Sequence, residues 1–316
     1  MRLPDLSSRV AIGGLVGLAL LDIVLVATAL GSTRTGDVDT RPLGSASSSS
    51  DSIRAVVPSV TPSVTSTASA RTAQVAPLRT MLVALDSKRA WRARVGSCSA
   101  GGASVSTTTD GGKTWVEGST PPLRTVVRVQ PADDRVAFVV GADSSCTARV
   151  SETSNGASTW GAPGTAAGAW FRHPKNSRIV GAPGPAVSQP CGKRDVLDLA
   201  PVSANSARVL CADGSVRSSA DTGSSWILTG KVAGGVALAV LPSSPAKAFV
   251  ARLNPPDCSG VQIQQVGNPV ATSCIRSALP KGLGQVSLSL VRGGGWVVIG
   301  GTTMRSTDDL ATWTTP

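Results

Sequence analysis

The sequence predicts an all-β fold: a ring of about five blade-like units, each of about four strands, with a further unit left open. One membrane-spanning helix and a disordered linker precede it. Three observations carry this reading. A turn motif ending in tryptophan recurs along the chain, its copies are separated by about one unit, a unit plus an insertion, and about two units, and paired apolar strands precede the copies.

Composition sets the frame. The chain of 316 residues is 41% hydrophobic but only 3% aromatic, with 34 Gly and 21 Pro. That length suits one large domain with appendages, and the Gly-, Val- and Thr-rich texture suits short strands joined by turns. The net charge is +11, from 30 Lys and Arg against 19 Asp and Glu. A basic balance is compatible with nucleic acid, anionic lipid or acidic polymers as partners. The cations are scattered, however, with no run of five or more, and make no patch before the chain folds. No nucleic-acid partner is expected.

Residues 1–9 carry Arg2 and Arg9 and precede Val10–Leu30, a run of 21 residues with one charge, Asp22. About 20 apolar residues cross a bilayer. The positive flank places residues 1–9 in the cytoplasm and the rest of the chain outside. The competing reading is a signal peptide cut near Ala29, because Ala27-Thr28-Ala29 has a small-x-small form. A carboxylate within a span is costly, and Asp22 is either a pairing group or a tolerated defect. Residues 31–76 are rich in Ser, Thr and Pro and contain no aromatic residue. Such a stretch buries too little to offset its ordering entropy and is expected to be a disordered tether. The folded domain is expected over residues 77–316.

Within that domain Thr108-x-Asp110-x-Gly112-x-Thr114-Trp115 recurs as Ser219-x-Asp221-x-Gly223-x-Ser225-Trp226. It returns as Ser306-x-Asp308-x-Leu310-x-Thr312-Trp313 without its glycine, and as a degraded Thr153-x-Asn155-x-Ala157-x-Thr159-Trp160. The carboxylate accepts backbone N–H bonds inside a tight turn, and the Trp then re-enters a strand and packs on its neighbours. Successive Trp residues lie 45, 66 and 87 positions apart, and a blade of a propeller takes about 40–45. Units are expected near Leu78–Thr120, Pro121–Pro163, Arg194–Gly230, Lys231–Pro280 and Lys281–Pro316. Gly164 to Lys193 is either an insertion or the remains of a further blade.

These turns resemble the Asp-box, or BNR-type, repeats of sialidases, sortilin-like receptors and certain glycoside hydrolases, and the repeats of photosystem II assembly propellers and many exported bacterial proteins. The resemblance covers roughly Pro77 to Pro316. It implies a propeller in which Thr108, Asp110, Gly112, Trp115, Asn155, Trp160, Ser219, Asp221, Gly223, Trp226, Ser306, Asp308 and Trp313 have structural roles away from the ligand face.

Six Cys in an exported domain suit disulfides. Cys98 and Cys146 stand at matching points of two neighbouring units, and Cys258 and Cys274 fall within one unit. That leaves Cys191 with Cys211. There is no C-x-x-C and the only histidine is His173, so no metal site and no cofactor are expected.

Sialidase chemistry uses a Tyr nucleophile, and the chain has none. The only Glu are Glu117 and Glu152, with Glu117 just after a turn Trp. Asp195 and Asp198 are three apart in an expected strand and face opposite sides. No G-x-S-x-G elbow is present. The expectation is therefore a non-enzymatic, membrane-tethered binding or assembly module for a protein or envelope polymer outside the membrane. A glycan-binding or glycoside-hydrolase-like propeller is the alternative. Trp170, Arg172 and His173, in the stretch Trp170 to Arg178, are the expected ligand loop.

Overall fold

A computed structural model describes residues 74–184 and 187–316. The expected cytoplasmic end, membrane span with Asp22, and linker up to residue 73 lie outside these residues. Among the described residues no helix is long and apolar enough to cross a membrane.

The described chain is all-β and forms six antiparallel sheets in sequence order. The first holds β1 (Thr80–Ala84), β2 (Ala90–Arg94), β3 (Ser104–Thr108) and β4 (Val116–Glu117). The second holds β5 (Thr125–Pro131), β6 (Ala137–Ala142), β7 (Ala148–Thr153) and β8 (Gly164–Thr165). Three short strands make the third: β9 (Phe171–Arg172), β10 (Val180–Gly181) and β11 (Val187–Ser188). The fourth is β12 (Val196–Pro201), β13 (Ala207–Cys211), β14 (Ser215–Ser219) and β15 (Ile227–Lys231). The fifth is β16 (Gly235–Leu241), β17 (Ser244–Leu253), β18 (Gly260–Gln265) and β19 (Ala271–Arg276). The sixth is β20 (Val286–Val291), β21 (Gly294–Ile299) and β22 (Thr302–Ser306), with a single bridge from Arg305 to Thr314 in the outer position.

The protein is thus a six-bladed β-propeller, which corrects the expectation of about five blades. The stretch left open between insertion and blade is the third blade. Nor are all blades four-stranded, since the third and sixth each have three strands. Alternating apolar residues drive the closure. Clusters such as Trp91, Val105, Val126 and Val139, or Val261, Ile263, Leu288 and Val297, fill the gaps between neighbouring sheets.

The third blade is short of its inner strand. β9 runs in the direction of the second strand of the other blades, because the β9–β10 loop shares a cleft with the β2–β3 and β6–β7 loops. The turn at Ala166–Ala169 stands where an inner strand would be and packs against Val140. Inner strands β1, β5, β12, β16 and β20 therefore surround the central channel, with Arg172 of β9 reaching in at the gap. The register shifts by a bulge in β5 between Val126 and Arg128, and in β12 between Val196 and Asp198. A bulge re-aims the residues that follow it, and both Arg128 and Asp198 line the channel.

The segment before β1 ties blades together across one end of the channel. Leu78 N–H donates to Leu197 O at 3.1 Å and Arg79 N–H to Gly284 O at 2.7 Å. Val75 packs into the clusters of Val236 and Leu197.

Candidate functional site

The four tryptophan turns share one hydrogen-bond pattern. The hydroxyls of Thr108, Ser219 and Ser306 donate to Asp110, Asp221 and Asp308 at 2.8, 2.7 and 2.7 Å. Each hydroxyl accepts in turn from the N–H four residues on: Gly112 at 3.0, Gly223 at 2.9 and Leu310 at 3.0 Å. The carboxylates then accept the backbone N–H and the hydroxyl of Thr114, Ser225 or Thr312. In the degraded copy Asn155 accepts from Thr153 at 3.0 Å, but its amide donates to Thr159 Oγ1 at 2.8 Å, reversing the last bond. The residue that closes the turn is left-handed in every copy, at φ 89 for Gly112, 67 for Ala157, 87 for Gly223 and 71 for Leu310. These side chains are consumed by the turn and leave no reactive group.

The turn tryptophans lock blade to blade. Trp160 Nε1 donates to Ser119 O at 2.9 Å, Trp226 Nε1 to Ser188 Oγ at 3.0 Å and Trp313 Nε1 to Ser273 Oγ at 2.9 Å. Trp115 Nε1 is buried without a partner. A second set works in the other direction, each indole donating to the first turn of the next blade. Trp91 reaches Asp133 O at 3.0 Å, Trp170 reaches Ser203 O at 3.0 Å, and Trp296 reaches Asp86 O at 2.8 Å. Trp170 is only 2% exposed. This corrects its expected role in ligand contact: it is a core residue of the third blade.

Arg172 and His173 lead instead into a cleft of about 700 Å³, on the opposite face from the tryptophan turns. Its walls come from the segment before β1, the β2–β3 and β6–β7 loops, and the β9–β10 loop. The Cys98–Cys146 disulfide joins the two middle loops, and Arg124 Nε donates to Cys98 O at 3.3 Å. Arg79, Arg172, His173 and Lys175 line the cleft, and no carboxylate does. Arg79 and Lys175 are exposed, while Arg172 is buried with one guanidinium N–H bonded to Leu78 O at 3.1 Å. Burial, then Lys175, push the His173 pKa down, so the cleft's charge at neutral pH comes from Arg and Lys. The other disulfides pair Cys191 with Cys211 and Cys258 with Cys274.

Leu78, Val127 and Arg172 also line the second cavity, the central channel of about 480 Å³. Asp198 lies there with its carboxylate accepting from Leu199 N–H at 2.8 Å and Leu238 N–H at 2.7 Å. Burial pushes its pKa up to about 6, against the pull of those two bonds and of Arg172. Burial also lowers Arg172 and Arg128 to about 10. Arg128 donates to Trp170 O at 2.7 Å and to Gln130 Oε1, with its guanidinium over the Phe138 ring. Asp195 points elsewhere, accepting from Ser177 at 2.7 Å, so the two aspartates do not converge. No group of three His, Cys, Asp or Glu side chains fit to hold a metal ion occurs among the described residues.

No protein-family model matches the chain, and no curated protein matches it. Solved structures similar to it include YCF48 bound to D1 peptide, at 16% identity over 76% of this chain and 66% of that one, with a TM-score of 0.29. The GH74 enzyme of Niastella koreensis is 14% identical over 74% of this chain and 46% of its own, with a TM-score of 0.39. The SapL1 lectin in complex with alpha methyl fucoside is 11% identical over 76% and 95%, with a TM-score of 0.47. The chain thus spans 66% and 46% of the first two. At these identities and TM-scores none of the three bears on what this chain does.

Proposed function

We propose that the chain is a non-enzymatic binding module of the cell envelope. Its N-terminal span tethers the propeller outside the membrane, and the cleft docks an anionic stretch of a partner protein or envelope polymer. The observation that carries this reading is the cleft itself, with Arg79, Arg172 and Lys175 on its walls and no carboxylate among its lining. A concave site lined by one sign of charge concentrates and steers ligands of the other sign. The inter-blade disulfide ties two of the walls to each other, and disulfides suit an extracytoplasmic compartment. The turns of the opposite face fit the structural role that Asp-box repeats have. The glycan reading asks for exposed tryptophan on the binding face, and Trp91, Trp170 and Trp296 are all buried.

The test is fluorescence anisotropy of a fluorescein-labelled oligo-glutamate peptide with the full-length chain, across a salt series. Binding should weaken as salt rises. The double variant Arg79→Glu, Lys175→Glu should lose at least tenfold in affinity with an unchanged melting temperature. Equal binding by that variant would sink the reading.

A further inference from the structure

We propose that the central channel, which adjoins the cleft through Leu78, Val127 and Arg172, is a second binding site for a small amphipathic monoanion: a carboxylate or similar anionic head on an apolar body. Three features of the channel point to that chemistry.

Its charge is unbalanced. Arg128, Arg172 and Asp198 are its charged lining residues, a net of one positive charge. Asp198 is held by two backbone N–H groups and offset by Arg172. Neither arginine has a carboxylate within 4.0 Å among the described residues. Their hydrogen-bond partners are neutral oxygens; buried charge left uncompensated is costly, and a ligand with one negative charge closes the deficit.

Donors are waiting. Ser287 Oγ accepts from Leu82 N–H at 3.0 Å and Ser289 Oγ from Ala84 N–H at 2.9 Å. Each hydroxyl therefore keeps its own hydrogen, and neither donates to a protein acceptor among the described residues. Both line the channel. These hydroxyls and the guanidinium groups are the donors that the channel lining offers to an anionic ligand. Arg172, which uses one guanidinium N–H on Leu78 O, has further donors to offer.

The walls are apolar. Val129, Leu199, Leu238, Val240 and Leu290 surround the polar groups, and a volume of about 480 Å³ falls in the range of small-molecule sites, about 300–1,000 Å³. The third blade lacks an inner strand, and Arg172 of β9 reaches the channel at that gap.

The probe is hexanoate, with hexanamide as its neutral counterpart. Each is titrated calorimetrically into the full-length chain in lipid nanodiscs and referenced to empty nanodiscs. Hexanoate should bind saturably and at least tenfold more tightly than hexanamide. Arg128→Gln should weaken hexanoate at least tenfold, and Ser289→Ala about threefold, both with native near-ultraviolet dichroism. If Arg128→Gln fails to fold, Ser289→Ala carries the comparison. The cleft variant Arg79→Glu, Lys175→Glu should bind hexanoate like the parent, so the channel stands or falls separately from the cleft. Hexanoate binding no tighter than hexanamide, or insensitive to the folded channel variants, overturns the proposal.

Discussion

The indole rings of Trp170 and Trp226 meet edge to face, with centroids 6.0 Å apart and planes at 77°. Trp296 and Trp115 repeat the arrangement at 6.5 Å and 78°. In each pair one ring belongs to the second-strand position of a blade and the other to the tryptophan turn of the next. The repetition identifies Trp170 as a blade residue despite the brevity of its strand, and it makes the two-ring contact a unit of closure.

Trp170→Ala removes one ring of that unit from the core. Truncating a buried Trp costs about 3–5 kcal/mol, so urea unfolding should show a loss of that order. Oligo-glutamate should still bind the folded fraction with parental affinity, because the ring lines no part of the cleft.

Leu310 occupies a left-handed backbone conformation at φ 71 while 4% exposed. Leu310→Gly relieves a conformational cost of about 1–2 kcal/mol but deletes a side chain whose burial is worth about 2–5 kcal/mol. Burial wins, and the variant should be less stable by about 1–3 kcal/mol in chemical denaturation. Ala157→Gly, with φ 67 and only a methyl to lose, should instead be near neutral.

Acid and near-neutral pH should act through different aspartates. Hydroxyl bonds from Ser225 and Thr312, then backbone N–H groups, hold Asp221 and Asp308 down at about 2, and Thr114 holds Asp110 lower still. An unfolded Asp titrates at about 3.9. Their stabilisation is therefore complete above that value and lost as pH falls towards 2. Asp198, raised to about 6, has the reverse sign. Ionising it costs stability above pH 6, and the cost is relieved as pH falls from about 6 to about 4. Denaturation midpoints should peak between about pH 4 and 5. Asp198→Asn should abolish the fall in midpoint as pH rises from that peak towards 6 and leave the acid limb in place.

The disulfides should separate stability from binding. In the chain-entropy account a closed loop stabilises by about 2–4 kcal/mol, and more when longer. Cys98–Cys146 spans 48 residues and Cys258–Cys274 spans 16, so replacing the first pair by Ser should cost about 1 kcal/mol more than replacing the second. Only the first replacement should also weaken oligo-glutamate capture, since only that bridge lines the cleft.

What could be read from the chain follows the range of the interactions. The turns were legible because every bond from Thr108 to Thr114 closes within a few residues, and the alternating strand pairs announced the blades around them. The third blade was hidden by strands of two residues each and the lack of an aspartate turn. One signal was there: Ala169-Trp170 repeats the Ala90-Trp91 pair that opens β2. Arg79 and Lys175 are 96 positions apart and meet only when the ring closes, so no local pattern could join them. Simple alternation sets Asp198 opposite Asp195, but the bulge before it, which aims it at the channel, is a tertiary feature.

A ring of equal blades offers a visitor several equivalent bearings. Here one sector lacks its innermost strand; the cleft opens beside that sector, and the channel borders it through Arg172. The irregularity is a landmark: it marks one heading around the wheel off from the other five.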